Sequence, residues 1–478
     1  MKGTIETYYS YGNIYQSTAE VFYPKTIVEL QDILAFCREN KRKVTPAGSF
    51  HSFDRQNAGK DVVISMRHFK EIHCDAEKGV LVAGAGASWG EIFDAAYKEK
   101  CLLYTCVTGS APTAGGTLSI NSCSVWTPGV GKESDHCLSF QFLTTEGELL
   151  TCSRTENTEL FRSVIGGLGL LGFIINITYR VLPVGSDFEI VISVDEYENL
   201  DDIEKRLHLR KASKLDQLEL LRSQSTLFYR EKGVPKFTVY NRLYHRIKRP
   251  NIASKFSMWT AILASGLIRF FPKLADKAVA REKGKPPHKQ LLIKNLTAPR
   301  YGLFWAQPDY EWSKKFSRFF QRLGYEPKMY QNSYFIPVGD DRVTTFTKKV
   351  YELNDQYQLR SFMFDVLHIP QDDLPFVLSC SRNTAGFYVN TTFMDSTNKE
   401  DLMTCYTQLN ELALELGGSL NLSKNCFIKP AILEKMYAPA LEEFTALKKK
   451  YDPSNLLISD FFEHYFPTYF GQSETMLH

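Results

Sequence analysis

The sequence predicts an α+β fold in two domains, with the C-terminal tail completing the first. Three observations carry this expectation. A chain of 478 residues is too long for one simple core. Strands and helices alternate up to about residue 183, and the rhythm then changes. A final segment, 421–478, adds a helix stopped by Asp452-Pro453. The expected boundaries are 12–183, 184–420 and 421–478.

The elements follow in order. AEVFYP (19–24) alternates as a strand does, and Thr26 with Glu29 forms a T-x-x-E capping box before a helix. Leu30, Ile33, Leu34 and Cys37 then recur at helical spacing. KVTPAG reads as the next strand and runs straight into PAGSFHSF. VVISM and GVLVAGAG are further strands, and Ser88 with Glu91 caps the helix EIFDAAYKEK. LSFQFLTTEGELLTC predicts two strands joined at Glu146-Gly147. The helix ELFRSVI and the strand FIINITYRVLP close the first region. Beyond it, VISVDEYENL, YFIPVG and FYVNTTF read as strands and LMTCYTQLNELALEL as a helix.

Composition narrows the class. A hydrophobic share of 44% with 23% charged residues suits a soluble globular protein, and a net charge of +3 selects no partner. The ten cysteines show neither a CxxC nor metal-ligand spacing, so no metal site is expected. Unpatterned cysteines, with no apolar signal-like run in MKGTIETYYSYGN, predict reduced thiols and a cytoplasmic location, with membrane association through residues 253–290 left open. No window reaches the roughly 18 uninterrupted apolar residues of a membrane span.

Gly167, Gly169 and Gly172 spell G-x-G-x-x-G, but a dinucleotide fingerprint needs a strand before and a helix after. Here the order is helix, then strand, so NAD is not expected. The stronger signal is a pair of loops. PAGSFHSF strings together small residues whose backbone N–H groups can nest a phosphate. GSAPTAGGTLSINSCS (109–124) adds open backbone and hydroxyls, among them Ser110, Thr113, Thr117 and Ser119. Two such loops separated by a βαβ-like layer suit a cofactor with a pyrophosphate and a long ring system.

The pieces AGSFHSF, GGTLSINS, LTTEGELLTCSRTENTELFRSVIGGLGLLGFIINITYRVLP and YDPSNLL resemble the vanillyl-alcohol-oxidase superfamily of FAD enzymes. The resemblance covers 12–183 and returns at 415–470. It implies a two-domain FAD-binding flavoprotein with a sheet-and-helix substrate (cap) domain. The superfamily's first loop reads R-G-x-G-H-S, and its histidine can carry FAD covalently; here that residue is His51, with Phe50 in place of a glycine. The resemblance implies that Ala47, Gly48, Ser49, Phe50, His51, Ser52 and Phe53 wrap the pyrophosphate. Gly109, Ser110, Thr113, Gly115, Gly116, Ile120, Asn121, Ser122 and Cys123 are implied along the ribityl chain and ring, with Ile174 on the adenine side.

Two subgroups are most similar, the sugar-lactone and alditol oxidases and the decaprenylphosphoryl-ribose oxidases. GGSLNLSKNC (417–426) resembles the latter's G-G-x-L-x-x-A-K-D, which places a flavin-side lysine at Lys424. A fixed ammonium there would stabilise negative charge on the ring. Aldonolactone enzymes carry Glu-x-Arg where this chain has Asp365 and Leu367, so the fork that grips a lactone is missing. Asp365 or His368 is the expected base. The expected activity is oxidation of a C–OH group on a sugar, polyol or glycosyl lipid by hydride transfer to flavin N5. An aldonolactone oxidase and a non-catalytic flavoprotein on a membrane surface are the alternatives.

Residues 241–290 hold twelve Lys or Arg against two acids, around the apolar run FSMWTAILASGLIRFFPKL (256–274). This insert reads either as a peripheral membrane contact through 253–290, as cover for a lipid-linked substrate, or as a plain cap helix with a solvated basic loop. Nucleic acid is not an expected partner, because no recognition motif is present.

Overall fold

The alternation of the first 183 residues closes two sheets, and a third follows. A computed structural model of the protein describes residues 2–471 apart from 60, 106, 108–110, 198, 200, 208–213, 232–233, 248–327, 360–362 and 395–396. The basic insert and its expected membrane contact, 253–290, therefore lie outside the described residues.

The first sheet orders β1 (Thr4–Tyr9), β2 (Gln16–Phe22), β4 (Val62–Ser65) and β3 (Val44–Ala47) as β1-β2-β4-β3. Pro46 stands in β3, where the strand lies at the edge of its ladder and the missing N–H is tolerated. The helix Ile27–Glu39 buries Leu30, Ile33, Leu34 and Cys37, as their spacing predicts. Its cap is only half a box. Thr26 accepts from the Glu29 N–H, while the Glu29 carboxylate takes the Lys25 N–H instead. At Ser88 both halves of the box form.

The second sheet runs β5 (Ile72–Asp75), β6 (Val80–Gly84), β10 (Gly172–Pro183), β8 (Cys137–Thr144), β9 (Leu149–Ser153), with β7 (Cys101–Leu103) also on β10. The glycines of the apparent fingerprint bridge the helix Thr158–Val164 to β10. A side chain on Gly172 would strike Phe142 at 2.4 Å and the Leu143 carbonyl at 2.5 Å, so close strand packing explains it.

The third sheet begins at β11 (Asp187–Tyr197) and continues β13 (Val234–Ile247), β12 (Arg222–Glu231), β15 (Met363–Ile369), β16 (Gly386–Met394), β14 (Met329–Pro337), β17 (Ser419–Leu420). Helices Arg342–Gln356 and Lys399–Glu415 share one hydrophobic core with this sheet. That core takes Phe364 and Val366 of β15 and Phe387 and Val389 of β16. Because a strand's side chains alternate, the residues between them face the other way, toward the first two sheets.

The tail then returns to the first sheet. The helix Pro430–Tyr451 ends at Asp452, whose carboxylate accepts from the Leu456 and Leu457 N–H groups at 2.9 and 2.8 Å and pairs with Lys448. This turn lays Leu457 beside Val44 of β3 as a parallel bridge. Among the described residues no helix is long and apolar enough to cross a membrane, and no metal-ligating cluster of His, Cys, Asp and Glu occurs.

Candidate active site

A cavity of about 450 Å³ lies where the two Gly/Ser-rich loops meet the exposed face of the third sheet. Residues 47–53 all line it, as do Thr113, Gly115, Gly116, residues 120–123 and Ile174. Gly109 and Ser110 lie outside the described residues. The first loop is held by its edges. Ser65 donates to the Gly48 carbonyl, Ser49 to the Ala111 carbonyl, and the Tyr11 N–H to the Ser52 carbonyl. Phe50 sits at φ +58°, in the left-handed region, so this position favours the glycine it replaces. Its ring packs against Tyr8 at 4.7 Å, which offsets part of that strain. The His51 ring lies 4.6 Å from that of Tyr11.

The second loop hangs from the end of β6, through Ala114 N–H to Ala87 and Gly115 N–H to Ala85. The two loops touch at glycine. A Cβ on Gly48 would fall 2.3 Å from Thr113 Oγ1, and one on Gly116 would fall 3.1 Å from it. Behind this loop stands Glu133, fully buried, accepting from Thr117 (3.0 Å), Ser122 (2.5 Å) and Tyr179 (2.6 Å). Burial pushes its carboxyl up to about 7, against the pull of those three hydroxyls.

The third sheet supplies the floor. Register sets Asp365, Asn390 and Ser333 side by side across β15, β16 and β14, with Thr392 and Gln331 one step along. In the opposite direction the row is apolar: Leu367, Tyr388 and Phe335. Asn390 donates to Asp365 Oδ2 at 2.9 Å, and Gln331 Nε2 to Thr392 Oγ1 at 2.9 Å. Asp365 Oδ1, Gln331 Oε1 and Ser333 Oγ are buried and have no hydrogen-bond partner among the described residues. Burial pushes the Asp365 carboxyl up to about 6, opposed by Asn390 and the Lys424 charge. Lys424 lines the same cavity, its ammonium 4.4 Å from the centre of the Phe53 ring. Burial lowers it to about 8, against the attraction of Asp365 and then Cys123.

His368 is a correction. It stands one residue out of phase with Asp365 and Leu367, and its ring meets Phe387 at 5.1 Å on the helix side of the sheet. The period of two removes it from the cavity, and of the two expected bases only Asp365 lines it. Gln331, Ser333, Asn390 and Thr392 were missed by the sequence reading. The polar runs QNS in MYQNSYFIP and NTT in GFYVNTTFM are the signal that finds them, and strand parity then separates them from Asn332 and Thr391.

The residues present fit FAD. Thr113 Oγ1 and Asn121 Nδ2 are buried without a partner among the described residues, and both line the loop end of the cavity. Glycines bring the backbone close there, while the floor offers a cation and a carboxylate. Residues 18–153 match the family model for an FAD binding domain, and residues 341–465 match that for D-arabinono-1,4-lactone oxidase. These matches make the chain similar to the FAD-linked oxidoreductases of the vanillyl-alcohol-oxidase superfamily.

Relatives within the superfamily differ in reach. The bovine (Bos taurus) L-gulonolactone oxidase is 22% identical over 93% of this chain and 94% of its own. An uncharacterized oxidoreductase, ORF5 in the fasciation locus of Rhodococcoides fascians, is 30% identical over 36% of this chain and 39% of its own. Cytokinin dehydrogenase 2 of Arabidopsis thaliana is 27% identical over 35% and 34%. The chain thus spans little more than a third of the length of these last two relatives.

Proposed function

We propose that this flavoprotein oxidises a C–OH carbon of a hydroxyl-rich, sugar-derived substrate. When bound, FAD would supply the two-electron acceptor for the hydride. The observation that carries the reading is Asp365 Oδ1, a buried carboxylate oxygen on the cavity floor with no partner among the described residues. With Oδ2 held by Asn390, Oδ1 would take the substrate's hydroxyl proton. Gln331 Oε1 would accept from a neighbouring hydroxyl, and Ser333 Oγ would exchange a hydrogen bond with another. Lys424, which lines the cavity, would supply a positive charge that favours negative charge on the ring system. It is the only lysine or arginine among the described residues that line the cavity, so nothing there forks around a carboxylate.

An aldonolactone is the second reading, supported by the match of 341–465 and by the full-length similarity to the bovine enzyme. Leu367 weighs against an arginine-held lactone, because it gives that row of the floor an apolar side chain. Anaerobic titration of the purified yellow protein separates the readings. Bleaching by alditols or aldoses favours the first, and bleaching by aldono-1,4-lactones alone favours the second. A protein bleached by neither is no sugar oxidoreductase. Acid precipitation tests His51: covalent attachment predicts yellow in the wild-type pellet and none in the His51→Ala pellet.

A further inference from the structure

The turn 421–426 carries Lys424 into the cavity, yet among the described residues the ammonium makes no ion pair to hold it there. Its backbone is held instead. Gln56, at the end of the His51 loop and 7% exposed, donates both amide hydrogens to this turn. One goes to the Leu422 carbonyl at 2.8 Å, the other to the Lys424 carbonyl at 2.9 Å. The amide oxygen is used as well, accepting from the Asp54 N–H at 3.1 Å. Asn425, fully buried, works in the reverse direction. Its Nδ2 donates to the Phe53 carbonyl and its Oδ1 accepts from the Gln331 N–H, both at 2.9 Å. Two side-chain amides therefore join three segments: the His51 loop, the Lys424 turn and strand β14. Every group of Gln56 that can bond does so, and a buried donor or acceptor left unmet is expensive.

We propose that Gln56, assisted by Asn425, is a positioning residue that sets Lys424 against the cofactor loop. The inference rests on Lys424 acting at the flavin. A planar amide with two N–H groups is the side chain this geometry requires. A carboxylate at 56 would turn two acceptors toward two carbonyls, and methionine would fill the volume without bonding. With either, the turn loses its tie and the ammonium its fixed place, although Lys424 itself is intact.

A double-mutant cycle on the full chain loaded with FAD tests this, read by the visible absorption of the oxidised flavin and the FAD dissociation constant. Lys424→Met is expected to shift the spectrum and weaken FAD binding about tenfold. Gln56→Met is expected to shift the spectrum in the same direction and weaken binding by a similar factor. Added to Lys424→Met, it should then change the dissociation constant less than twofold. Independent effects, multiplying to about a hundredfold, would overturn the proposal, as would a Gln56→Met protein indistinguishable from wild type. A Lys424→Met protein with unchanged spectrum and affinity would instead remove the functional reading beneath it. Should Gln56→Met not fold, Gln56→Glu keeps the shape and is read by the same cycle.

Discussion

At the scale of residues, the site places two titrating groups of opposite kind on one cavity. Burial raises the Asp365 carboxyl to about 6 and lowers Lys424 to about 8. A base must be ionised and a stabilising cation protonated, so the competent state lies between the two values. The rate of anaerobic flavin reduction should rise through about pH 6 and fall through about pH 8 in a stopped-flow profile. Asp365→Asn should lower that rate by roughly 10²–10⁴-fold and abolish the acid limb. An Asn variant that retained the limb would assign the proton transfer elsewhere. Phe50 shows what letters alone conceal. Its departure from the superfamily glycine is readable in AGSFHSF, but its left-handed backbone and its contact with Tyr8 are products of the folded loop.

Elements supply what single residues cannot. Glu133 lies in GVGKESDH, a stretch without chemistry in its spelling, yet its carboxylate holds Thr117 and Ser122 of the second loop from behind. Sequence reading finds the loop because glycines and hydroxyls cluster locally. It misses the clamp because only the packing of β10 brings Tyr179 to the same acid. The floor strands divide in the same way. Their polar runs are legible, while the row Asp365, Asn390, Ser333 depends on the register of three separate strands. Parity also excludes His368, although it is adjacent in sequence to the lining residue Leu367.

Glu133 makes an element-scale prediction about folding without cofactor. Its folded value of about 7 exceeds that of the unfolded chain, so its stabilising contribution is full below the ordinary glutamate value. That contribution is lost as pH rises through about 7, and it is worth up to about 3 kcal/mol. The denaturation midpoint of the FAD-free protein should therefore drop more steeply between pH 5 and 8 than that of Glu133→Gln. Parallel pH profiles for the two proteins would refute this role.

For the whole molecule, the decisive feature is that segments far apart in sequence meet in space, the tail pairing with β3. The α+β class and the FAD loops were legible, since they rest on local periodicity and turn chemistry. The return of the tail was legible only through resemblance, since YDPSNLL states no partner. The structure gives that motif its physical content. Asp452 is 1% exposed, and its carboxylate organises two backbone N–H groups while pairing with buried Lys448. The segment it directs joins β3 through Val44 N–H to the Leu456 carbonyl and Ile458 N–H to the Val44 carbonyl, both at 2.9 Å. Four residues past Val44 the first cofactor loop begins to bend around the cavity, so the tail braces that loop from behind. Asp452→Ala should therefore cost more than an ordinary surface change. It leaves a buried ammonium without its partner, about 3–5 kcal/mol, and two buried N–H groups without an acceptor. Denaturant unfolding should show that loss, and the same variant should release FAD faster, because the loop anchored through β3 loosens with the tail. Asp452→Asn, which keeps an acceptor for only one of the two N–H groups and cannot form the ion pair with Lys448, should fall between wild type and Asp452→Ala. A loss below 1 kcal/mol with unchanged FAD release would mean that the cofactor domain stands without its C-terminal brace.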